Sequence, residues 1–543
     1  TFDQYHSNAD STYRITAQAI KNGEDLGEAI QVSGILAKTA AEQDPTVDNY
    51  ARFWGLNYMN ASLIMNKDGQ KSMSDIKGIY CTDPSTFDVF DLPFLAGSAA
   101  GFGAPQKAIM TESVARQYFE NFDNAIGKPF TLAGNNGSQE FEVVGIIEDL
   151  PQNTHLDFSL LLSMESMDKF SESRIAWATT NFYAYIKTND QFRANSFLKN
   201  LQELHEKNGA QKLSEFGYTF NHQLQPLTDI HLHSTNYSDF KRPMDYKIVS
   251  ALAIIGLTIL VIAWINYLNL GLVRTIERLK EVGIRKSLGS STRQITTLFL
   301  LEAGVLNIAA FLIGLTLVQL MAPYISEITG LEFSALLNPH VTLSLVGIVM
   351  IGTVLIGLYP ALISNRFSIS GILVGKGHQK KVGGMSFRRI LVGLQFTITF
   401  LLVSGTLVVE RQIRYMKSAD LGFTINDIMV IQAPPGDVNS ENRQDVVSYN
   451  AFKTELLKNS GIEMVVNSGE IPGERISWNS QIRVQGQPED LAIQTSLVSM
   501  GLGFTDFLGL DVIAGRGLQK GDDPWNKGDV VINKQMAKEL GRS

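Results

Sequence analysis

A run of 26 residues without a charged side chain, Ile248 to Val273, constrains this chain more than any other part of its sequence. Such a run is long enough to cross about 30 Å of hydrocarbon as a helix with some tilt. The segment from Arg274 to Gly289 follows at once and predicts a short amphipathic helix, in which basic and apolar residues are mixed. A spanning helix that leads into such a segment is typical of a membrane protein with a partner on its positive side.

Three further uncharged runs have about the length of a spanning helix. They predict spans at about 295–326, 341–365 and 390–409, in addition to the span at about 248–273. The second span joins the uncharged run from Ala303 to Ser326 to a helical lead-in from Ile295 that contains Glu302. The sequence therefore predicts four membrane-spanning helices.

The charge of the loops predicts the orientation of these spans. Residues 274–293 hold six Lys and Arg, residues 366–389 hold six more with no acid, and residues 327–340 hold none. Lys and Arg are retained on the cytoplasmic side, so the two basic loops are predicted inside and residues 1–247 and 410–543 outside. Four buried helices of a soluble core would not produce this alternation.

Length and charge narrow the class of protein further. A chain of 543 residues exceeds what one core can hold, so several domains are expected. A net charge of −8 argues against a general nucleic-acid binder. The single cysteine, Cys81, rules out an internal disulfide. The chain has no initiator Met and no signal peptide, and we interpret it as a fragment.

The two outer parts contain one pattern twice. Residues 87–97 and 107–116 read as Phe-x-x-Phe, a hydrophobic strand, Ala-Gly, a variable loop, a short apolar strand and a helix, and so do residues 504–515 and 529–538. The offset is 418 residues at the Ala-Gly and 422 at the next strand. This repeat predicts a duplicated protein with eight spans in two halves, one span before this chain and three after it.

Residues 141–149 predict a strand, and Gly134-Asn-Asn-Gly137 predicts a hairpin before it. Residues 195–207 have apolar residues at helical spacing. The expected fold class is a multi-domain membrane protein, with an α-helical transmembrane bundle and α+β extracytoplasmic domains.

Four blocks resemble the MacB/FtsX-like family of ABC transporter permeases, in the form common in Bacteroidetes-type sequences. They are residues 2–14, residues 141–155, Pro226-Leu-Thr-Asp-Ile-His-Leu-His-Ser234 and Arg278-Leu-Lys-Glu-Val-Gly-Ile-Arg-Lys-Ser-Leu-Gly289. The last block resembles the most specific motif of the family, a coupling helix between two spans. The resemblance covers nearly the whole chain and does not identify a substrate.

The resemblance implies a domain order. It implies a MacB-like core domain at 1–246 and an FtsX-like transmembrane domain at 247–366, with the coupling helix at 274–293. A cytoplasmic basic linker at 367–389, the span at 390–409 and an incomplete second core domain at 410–543 follow.

The coupling helix is the predicted partner-binding site. Val282, Ile284 and Leu288 are expected to fill an apolar groove on the ATPase, and Glu281, Arg285 and Lys286 to fix the register by charge pairing. Glycines would allow close approach and end the helix. A helix that lies on the lipid surface is the alternative interpretation. The predicted site residues are Arg278, Glu281, Val282, Gly283, Ile284, Arg285, Lys286, Leu288 and Gly289.

No catalytic, cofactor or metal residue is predicted. Gly371 to Gly377 resembles a phosphate loop but lacks its spacing and its Ser or Thr. His231 and His233 would share one face of a strand, but only His222 is near as a further zinc ligand. The remaining candidates are Glu302 close to a span and a headgroup-binding set of Lys376, Lys380, Lys381, Arg388 and Arg389.

The resemblance implies a multi-pass protein of the inner (cytoplasmic) membrane with large periplasmic domains. It implies a permease subunit, not an enzyme, that couples ATP hydrolysis by a separate ATPase chain to movement of the outer domains. Export or efflux is the expected direction. A non-transporting FtsX-like regulator or sensor of cell-envelope proteins is the alternative. The expected partners are the ATPase, a second permease copy, membrane lipid and a periplasmic adaptor or envelope protein, with no nucleic acid.

Overall fold

The structure is a computed structural model, and it divides the chain into two compact units. One unit contains Thr1–Asp245 and Asp420–Ser543, and the other contains Tyr246–Ala419. The structure describes residues 2–541 except 57–61, 68–69, 135–136, 152, 170–175, 178, 210–212, 215–216, 235–238, 242–245, 330–338, 366–383, 425–426, 432–442, 474–475, 477–478, 489–491, 520–521 and 523–528.

The first unit is built on a large mixed β-sheet. Its strands are β1 (Thr12–Lys21), β2 (Glu24–Ala29), β3 (Val32–Ser33), β4 (Val47–Gly55), β5 (Ser62–Lys67), β6 (Gln70–Asp75), β7 (Ile79–Thr82), β8 (Phe94–Gly97), β9 (Lys107–Thr111), β10 (Pro129–Gly134), β11 (Gly137–Ile147), β12 (Leu160–Ser163), β13 (Thr180–Thr188) and β14 (Tyr218–Pro226).

Eleven of these strands follow the order β14-β1-β13-β4-β7-β12-β9-β11-β10-β5-β6. β2 pairs with β1, β3 with β13, and β8 with β11. The pairs β7–β12 and β9–β11 are parallel, and the other pairs are antiparallel. The order brings the first strand of the chain, β1, between β13 and β14, which are the last two strands of the sheet.

The sheet is buried on both faces, as β4 shows. Successive side chains of a strand point to opposite faces, and the neighbours Phe53 and Trp54 are both buried in different apolar clusters. Helices cover the sheet, with Phe197 and Leu201 of the longest one in a third cluster. The helices are α1 (Leu36–Gln43), α2 (Thr86–Val89), α3 (Glu112–Arg116), α4 (Ala194–Asn208) and α5 (Ile230–His233).

Three local predictions for this domain are confirmed. The predicted strand is part of β11, and the predicted helix is α4. The predicted hairpin joins β10 to β11, with Gly134 paired to Gly137. Together with the helices, the sheet confirms the α+β class of the domain.

The second unit contains four long helices, α6 (Tyr246–Ser287), α7 (Thr292–Thr329), α8 (Pro339–Asn365) and α9 (Gly384–Ser418). Each holds a stretch long and apolar enough to cross a membrane: Tyr246–Leu270, Thr292–Ser326, Val341–Leu358 and Arg389–Ser418. These stretches confirm the four predicted spans.

The second unit packs through small and polar residues. Gly352 of α8 lies against the indole of Trp264, where a β-carbon would come within 2.8 Å of the ring nitrogen. Asn307 of α7 donates a hydrogen bond to the Thr353 hydroxyl at 3.1 Å. Small residues that let helices approach, joined by a few polar bonds, are typical of packing in membranes.

Two predicted helix boundaries are wrong. α6 continues without interruption through the segment predicted as a separate short helix. α9 continues past Val409 to Ser418, with an ion pair between Glu410 and Arg414 one turn apart. Charged residues end a hydrophobic run, but they do not end a helix, because the backbone hydrogen bonds and i,i+4 ion pairs continue. The predicted linker at 367–389 therefore ends inside α9, and most of it lies outside the described residues.

The part of the chain from 420 to 543 contains α10 (Arg443–Leu456), a hairpin of β15 (Asn479–Ile482) and β16 (Ile493–Ser496), α11 (Phe504–Phe507) and α12 (Lys534–Glu539). Parts of the predicted repeat agree in backbone conformation. Gly97 and Gly515 have φ of 70° and 79°. Thr111 and Asn533, which precede the two helices, have φ/ψ of −76/161° and −78/164°. The duplication itself stays a prediction.

Candidate functional site

The predicted partner-binding segment ends in a turn of four residues that joins α6 to α7. Gly289 has φ of 96°, in the left-handed region that glycine occupies without strain. The Gly289 N–H donates to the Lys286 carbonyl at 3.1 Å, and the Ser290 N–H donates to the Arg285 carbonyl at 2.9 Å. This pair of bonds is a Schellman motif, which satisfies the last carbonyls of α6. It agrees with the expectation that Gly289 ends the helix.

The next helix begins with a reciprocal cap. The Gln294 N–H donates to the Ser291 hydroxyl at 3.3 Å, and the Ser291 N–H donates to the Gln294 side-chain oxygen at 2.8 Å. This arrangement is a capping box, worth about 1 kcal/mol in typical helices. Both sides of the turn are therefore fixed by local hydrogen bonds.

The apolar side chains of the segment divide into buried and exposed ones. Val282 is 6% exposed, and Ile295 of α7 is 2% exposed. Ile284 and Leu288 are 52% and 82% exposed. The predicted role of Val282 as an anchor in a partner groove is therefore corrected, because it is already buried within its own chain. Ile284 and Leu288 remain available to a partner.

The charged side chains of the segment are at the surface. Arg285 donates to Glu281 at 2.7 Å, one helical turn away, and both side chains are about half exposed. Such an ion pair contributes only about 0.3–0.5 kcal/mol to stability. Lys286 is partly exposed, and Gly283 is buried in the helix. The Arg278 side chain is outside the part that the structure describes.

Sequence reasoning missed the contribution of α7 to this site. Glu302 lies 17 residues after Arg285, yet both line one cleft of about 30 Å³, room for a water molecule or two. The signal was present, since residues 295, 298, 299 and 302 recur at helical spacing after a short turn. The lining residues are Glu281, Val282, Arg285, Ile295, Leu298, Phe299 and Glu302.

The structure separates the histidines considered as metal ligands. His231 lies in α5, not in a strand, and stacks on Phe2 with ring centroids 3.4 Å apart. His222 instead lies beside His205, at 4.8 Å between centroids. Across the described residues, no group of three or more His, Cys, Asp or Glu could hold a metal ion. The Gly371–Gly377 loop and the predicted headgroup-binding lysines are outside the described residues.

A second concentration of polar groups lies inside the first domain, around Asp3. Its carboxylate accepts from the Thr154 hydroxyl at 2.5 Å and is 3.0 Å from His155 Nδ1. His155 Nε2 lies 2.9 Å from the Tyr185 hydroxyl. Burial opposes the ionisation of Asp3, but His155 and these hydrogen bonds hold the pKa of the carboxyl below its usual value. The cluster ties the N-terminal segment to the sheet.

His6 lies beside this cluster and is buried. Its Nδ1 accepts from the Asp91 N–H at 3.0 Å. Burial lowers the pKa of His6 to about 4, although the Asp3 charge opposes the shift. His6 is therefore neutral at physiological pH, which makes it sensitive to acid.

Two family models match this chain, one in each of its two units. Residues 1–204 match the MacB-like periplasmic core domain, and residues 253–369 match the FtsX-like permease C-terminal domain. The chain is 25% identical over 275 residues to "Uncharacterized ABC transporter permease YknZ" of Bacillus subtilis, covering 50% of this chain and 60% of that protein.

A second relative is "Macrolide export ATP-binding/permease protein MacB" of Acinetobacter baylyi, 23% identical over 53% of this chain and 39% of that protein. This chain thus spans 60% or less of these two relatives. Among solved structures, the periplasmic region of MacB from Actinobacillus actinomycetemcomitans is similar with a TM-score of 0.27 and 16% identity, over 41% of this chain and 91% of that one.

The two family matches fall on the two units already described by structure. The first covers most of the α+β domain, and the second covers the span of α6, the α6–α7 turn and α7 and α8. This chain belongs to the MacB/FtsX-like family of ABC transporter permeases.

Proposed function

We propose that this chain is the permease subunit of an ABC transporter that couples ATP hydrolysis by a separate ATPase to movement of its outer domains. The family supports a permease role, and the α6–α7 turn supports a docking site for the ATPase. Export or efflux is the proposed direction. The proposed assembly also contains a second permease copy and, as a further candidate, a periplasmic adaptor or envelope protein.

The observation that carries this proposal is the continuity of α6 up to a capped turn with exposed apolar residues. A helix that lies on lipid must turn into the membrane plane where its spanning part ends. α6 instead continues as one helix for 17 residues past the end of its apolar stretch at Leu270. This continuity supports a role of Ile284 and Leu288 as anchors for a protein groove, with the surface residues Glu281, Arg285 and Lys286 beside them.

The proposed location is the inner membrane, with the two parts of the first unit on the outer side and the α6–α7 turn in the cytoplasm. The loop charges support this orientation. In this arrangement Arg389 and the basic residues before it contact anionic headgroups. The proposed domain boundaries follow the predicted ones, except where α9 continues to Ser418.

The test is co-purification of the ATPase with the full chain from membranes of the source organism. The double variant Ile284→Asp, Leu288→Asp should weaken association at least about 30-fold, because hot-spot residues contribute about 2 kcal/mol or more. ATPase turnover in the complex should fall with it. Membrane insertion should be unchanged.

Ser287→Asp is the matched control. It adds a charge at the exposed end of α6, between Ile284 and Leu288, without removing an apolar anchor. Association should be preserved in this variant. Undiminished binding of the ATPase to the double variant would contradict the proposal, and the turn would then have no docking role.

A further inference from the structure

Two histidines of the outer domain meet where α4 packs on β14. The rings of His205 on α4 and His222 on β14 have centroids 4.8 Å apart and planes inclined at 76°. The His205 side chain is buried, with the residue 3% exposed. Its Nδ1 and both ring nitrogens of His222 are buried without a hydrogen-bond partner among the residues that the structure describes. Two adjacent rings thus hold three buried nitrogens that lack the hydrogen bonds they make in water.

Gln202 fixes the two rings relative to each other. Its side-chain oxygen accepts from the His222 N–H at 3.3 Å, and its side-chain nitrogen donates to the Phe220 carbonyl at 3.2 Å. The amide therefore binds the backbone of β14 as a neighbouring strand does. Gln202 lies about one turn before His205 on α4, so this connection between helix and strand is next to the rings. Support of this kind holds ligand side chains in a fixed geometry at metal sites.

Both rings are neutral at physiological pH, which is the form that binds a metal ion. Burial lowers the pKa of His222 to about 3, and the nearby His205 adds to this shift. The Thr16 backbone favours the charged form of His222, but no hydrogen bond of normal geometry joins them. Burial also lowers the pKa of His205, although the charge of Glu206 opposes the shift. Glu206 is exposed, and its negative charge beside the pair favours a bound cation.

The distance between the rings fits one shared ion. A Zn²⁺–N bond is about 2.0–2.1 Å long, and the centroid of an imidazole lies about 1.2 Å beyond its nitrogen. Two imidazoles on one ion therefore have centroids roughly 4.5–5.4 Å apart, for angles at the ion from square planar to tetrahedral. The observed 4.8 Å lies within this range. Packing of the rings alone also gives such a distance, but it leaves the buried nitrogens without a partner.

We propose that His205 and His222 bind one divalent transition-metal ion that prefers imidazole, such as Zn²⁺ or Cu²⁺, and that this ion joins α4 to β14. Mg²⁺ and Ca²⁺ prefer oxygen ligands and do not suit a pair of imidazoles. The site has two protein ligands, so water fills the other positions around the ion. It is independent of the proposed transport function, because both histidines lie within the outer domain.

The test is calorimetric titration of Zn²⁺ into the full chain in nanodiscs, without a polyhistidine tag. One ion per chain should bind, and the melting temperature of the outer domain should rise with it. His205→Gln and His222→Gln should each weaken binding by at least about 100-fold, because loss of a supporting residue alone costs about 10–100-fold. Gln202→Ala should weaken binding within that smaller range.

His231→Gln is the matched control. The Nε2 of His231 is likewise buried without a partner in the described part of the chain, but this residue lies on α5 and stacks on Phe2. Its replacement should leave Zn²⁺ affinity unchanged. His222→Cys separates metal binding from folding, because it removes the same ring as His222→Gln but supplies a thiolate. This variant should still bind Zn²⁺.

Cu²⁺ gives an independent count of the ligands. Electron paramagnetic resonance of the chain with one equivalent of Cu²⁺ should show two nitrogen ligands, and no more than one in His205→Gln. Absence of both Zn²⁺ and Cu²⁺ binding at micromolar concentration would overturn the inference, since water then satisfies the ring nitrogens. Equal affinity in the unmodified chain and the double variant His205→Gln, His222→Gln would also overturn it, as would an equal loss of affinity in His231→Gln.

Discussion

The outer domain and the α6–α7 turn use the same kinds of side chain in opposite ways. Arg52 and Asp83 form a nearly dry bidentate pair, whereas Arg285 and Glu281 are joined by one half-exposed bond. Removing one partner of a buried pair costs about 3–5 kcal/mol, and an exposed helical pair is worth about 0.3–0.5 kcal/mol. The buried charged pair of the outer domain therefore stabilises the fold of that domain. The charged side chains of the turn are exposed and stay accessible to another protein.

Apolar residues show the same contrast. Ile109 and Met110 of β9 are fully buried, whereas Ile284 and Leu288 are among the exposed ones outside the spans. Large aliphatic side chains that stay exposed contribute little to the stability of their own unit, because they bury little apolar area. The buried residues of the domain make it rigid, whereas the exposed Ile284 and Leu288 support the proposed docking role of the turn.

The largest effect concerns the side of the membrane on which each region lies. A cysteine at Ser138 should react fully with an impermeant thiol reagent in intact spheroplasts, and one at Ser290 should not react. Burial raises the pKa of Cys81 and keeps the native thiol unreactive. Labelling at Ser290 but not at Ser138 would break the comparison, because the orientation would be reversed.

The next effect is on stability. Arg52→Ala should lower the free energy of unfolding of the outer domain by about 3–5 kcal/mol, because Asp83 is left buried without its partner. Arg285→Ala should change stability by less than about 0.5 kcal/mol. Chemical denaturation of the full chain in detergent, followed by fluorescence, measures both. Equal losses would show that the two pairs are not different in kind.

A smaller effect is expected from acid. The pKa of His6 is about 4 in the folded domain, against about 6.5 when unfolded, so the neutral form is favoured by folding. Stability is therefore fully present above pH 6.5 and is lost as the pH falls towards 4. His6 alone should contribute a loss of about 2 kcal/mol between pH 7 and 5.

His6→Gln should remove this part of the pH dependence. Burial also lowers the pKa of His205, His222 and His231, so a weaker dependence of the same sign should remain in the variant. The Asp3 carboxyl, whose pKa is lowered, contributes only below this range. Denaturation curves at both pH values measure the difference, and identical pH slopes in the two proteins would contradict the burial of His6.

The smallest expected effect tests whether the charged residues at the turn contribute to recognition of the ATPase. Exchanging Glu281 and Lys286 keeps the net charge but reverses the local pattern, and it breaks the ion pair with Arg285. Stability should change by less than about 0.5 kcal/mol, while association with the ATPase should weaken by about tenfold if paired charges set the register. Binding isotherms of the ATPase measure this. Unchanged affinity would restrict recognition to Ile284 and Leu288.

Local features of both regions were predictable from sequence, because their causes are local. A membrane requires long uncharged helices, and runs of that kind located the four spans. Gly134 and Gly137 mark a hairpin by their turn chemistry, and Gly289 marks the end of α6 for the same reason. The continuity of α6 was missed because a change of composition was interpreted as a helix boundary.

Contacts between distant parts of the chain were not predictable. Arg14 and Asp239 form a buried ion pair although they are 225 residues apart, and neither sequence neighbourhood indicates a partner. The burial of Val282 was not predicted, although Val282 and Ile295 line one cleft across a turn of four residues. A helical period in residues 295–302 would have suggested it, but only once the turn was known to be short.

The position of β1 between β13 and β14 has a consequence for how the protein is made. β1 leaves the ribosome before every other strand of its sheet, yet it has no sheet neighbours except β2 until residues 180–226 have been synthesised. At about 5–20 residues per second, the 225 residues between Arg14 and Asp239 take on the order of 10–50 s to appear. By then the next segment to emerge is α6 itself. The outer domain thus closes only as its following helix is ready for insertion, so that folding on one side of the membrane and integration into it coincide in time.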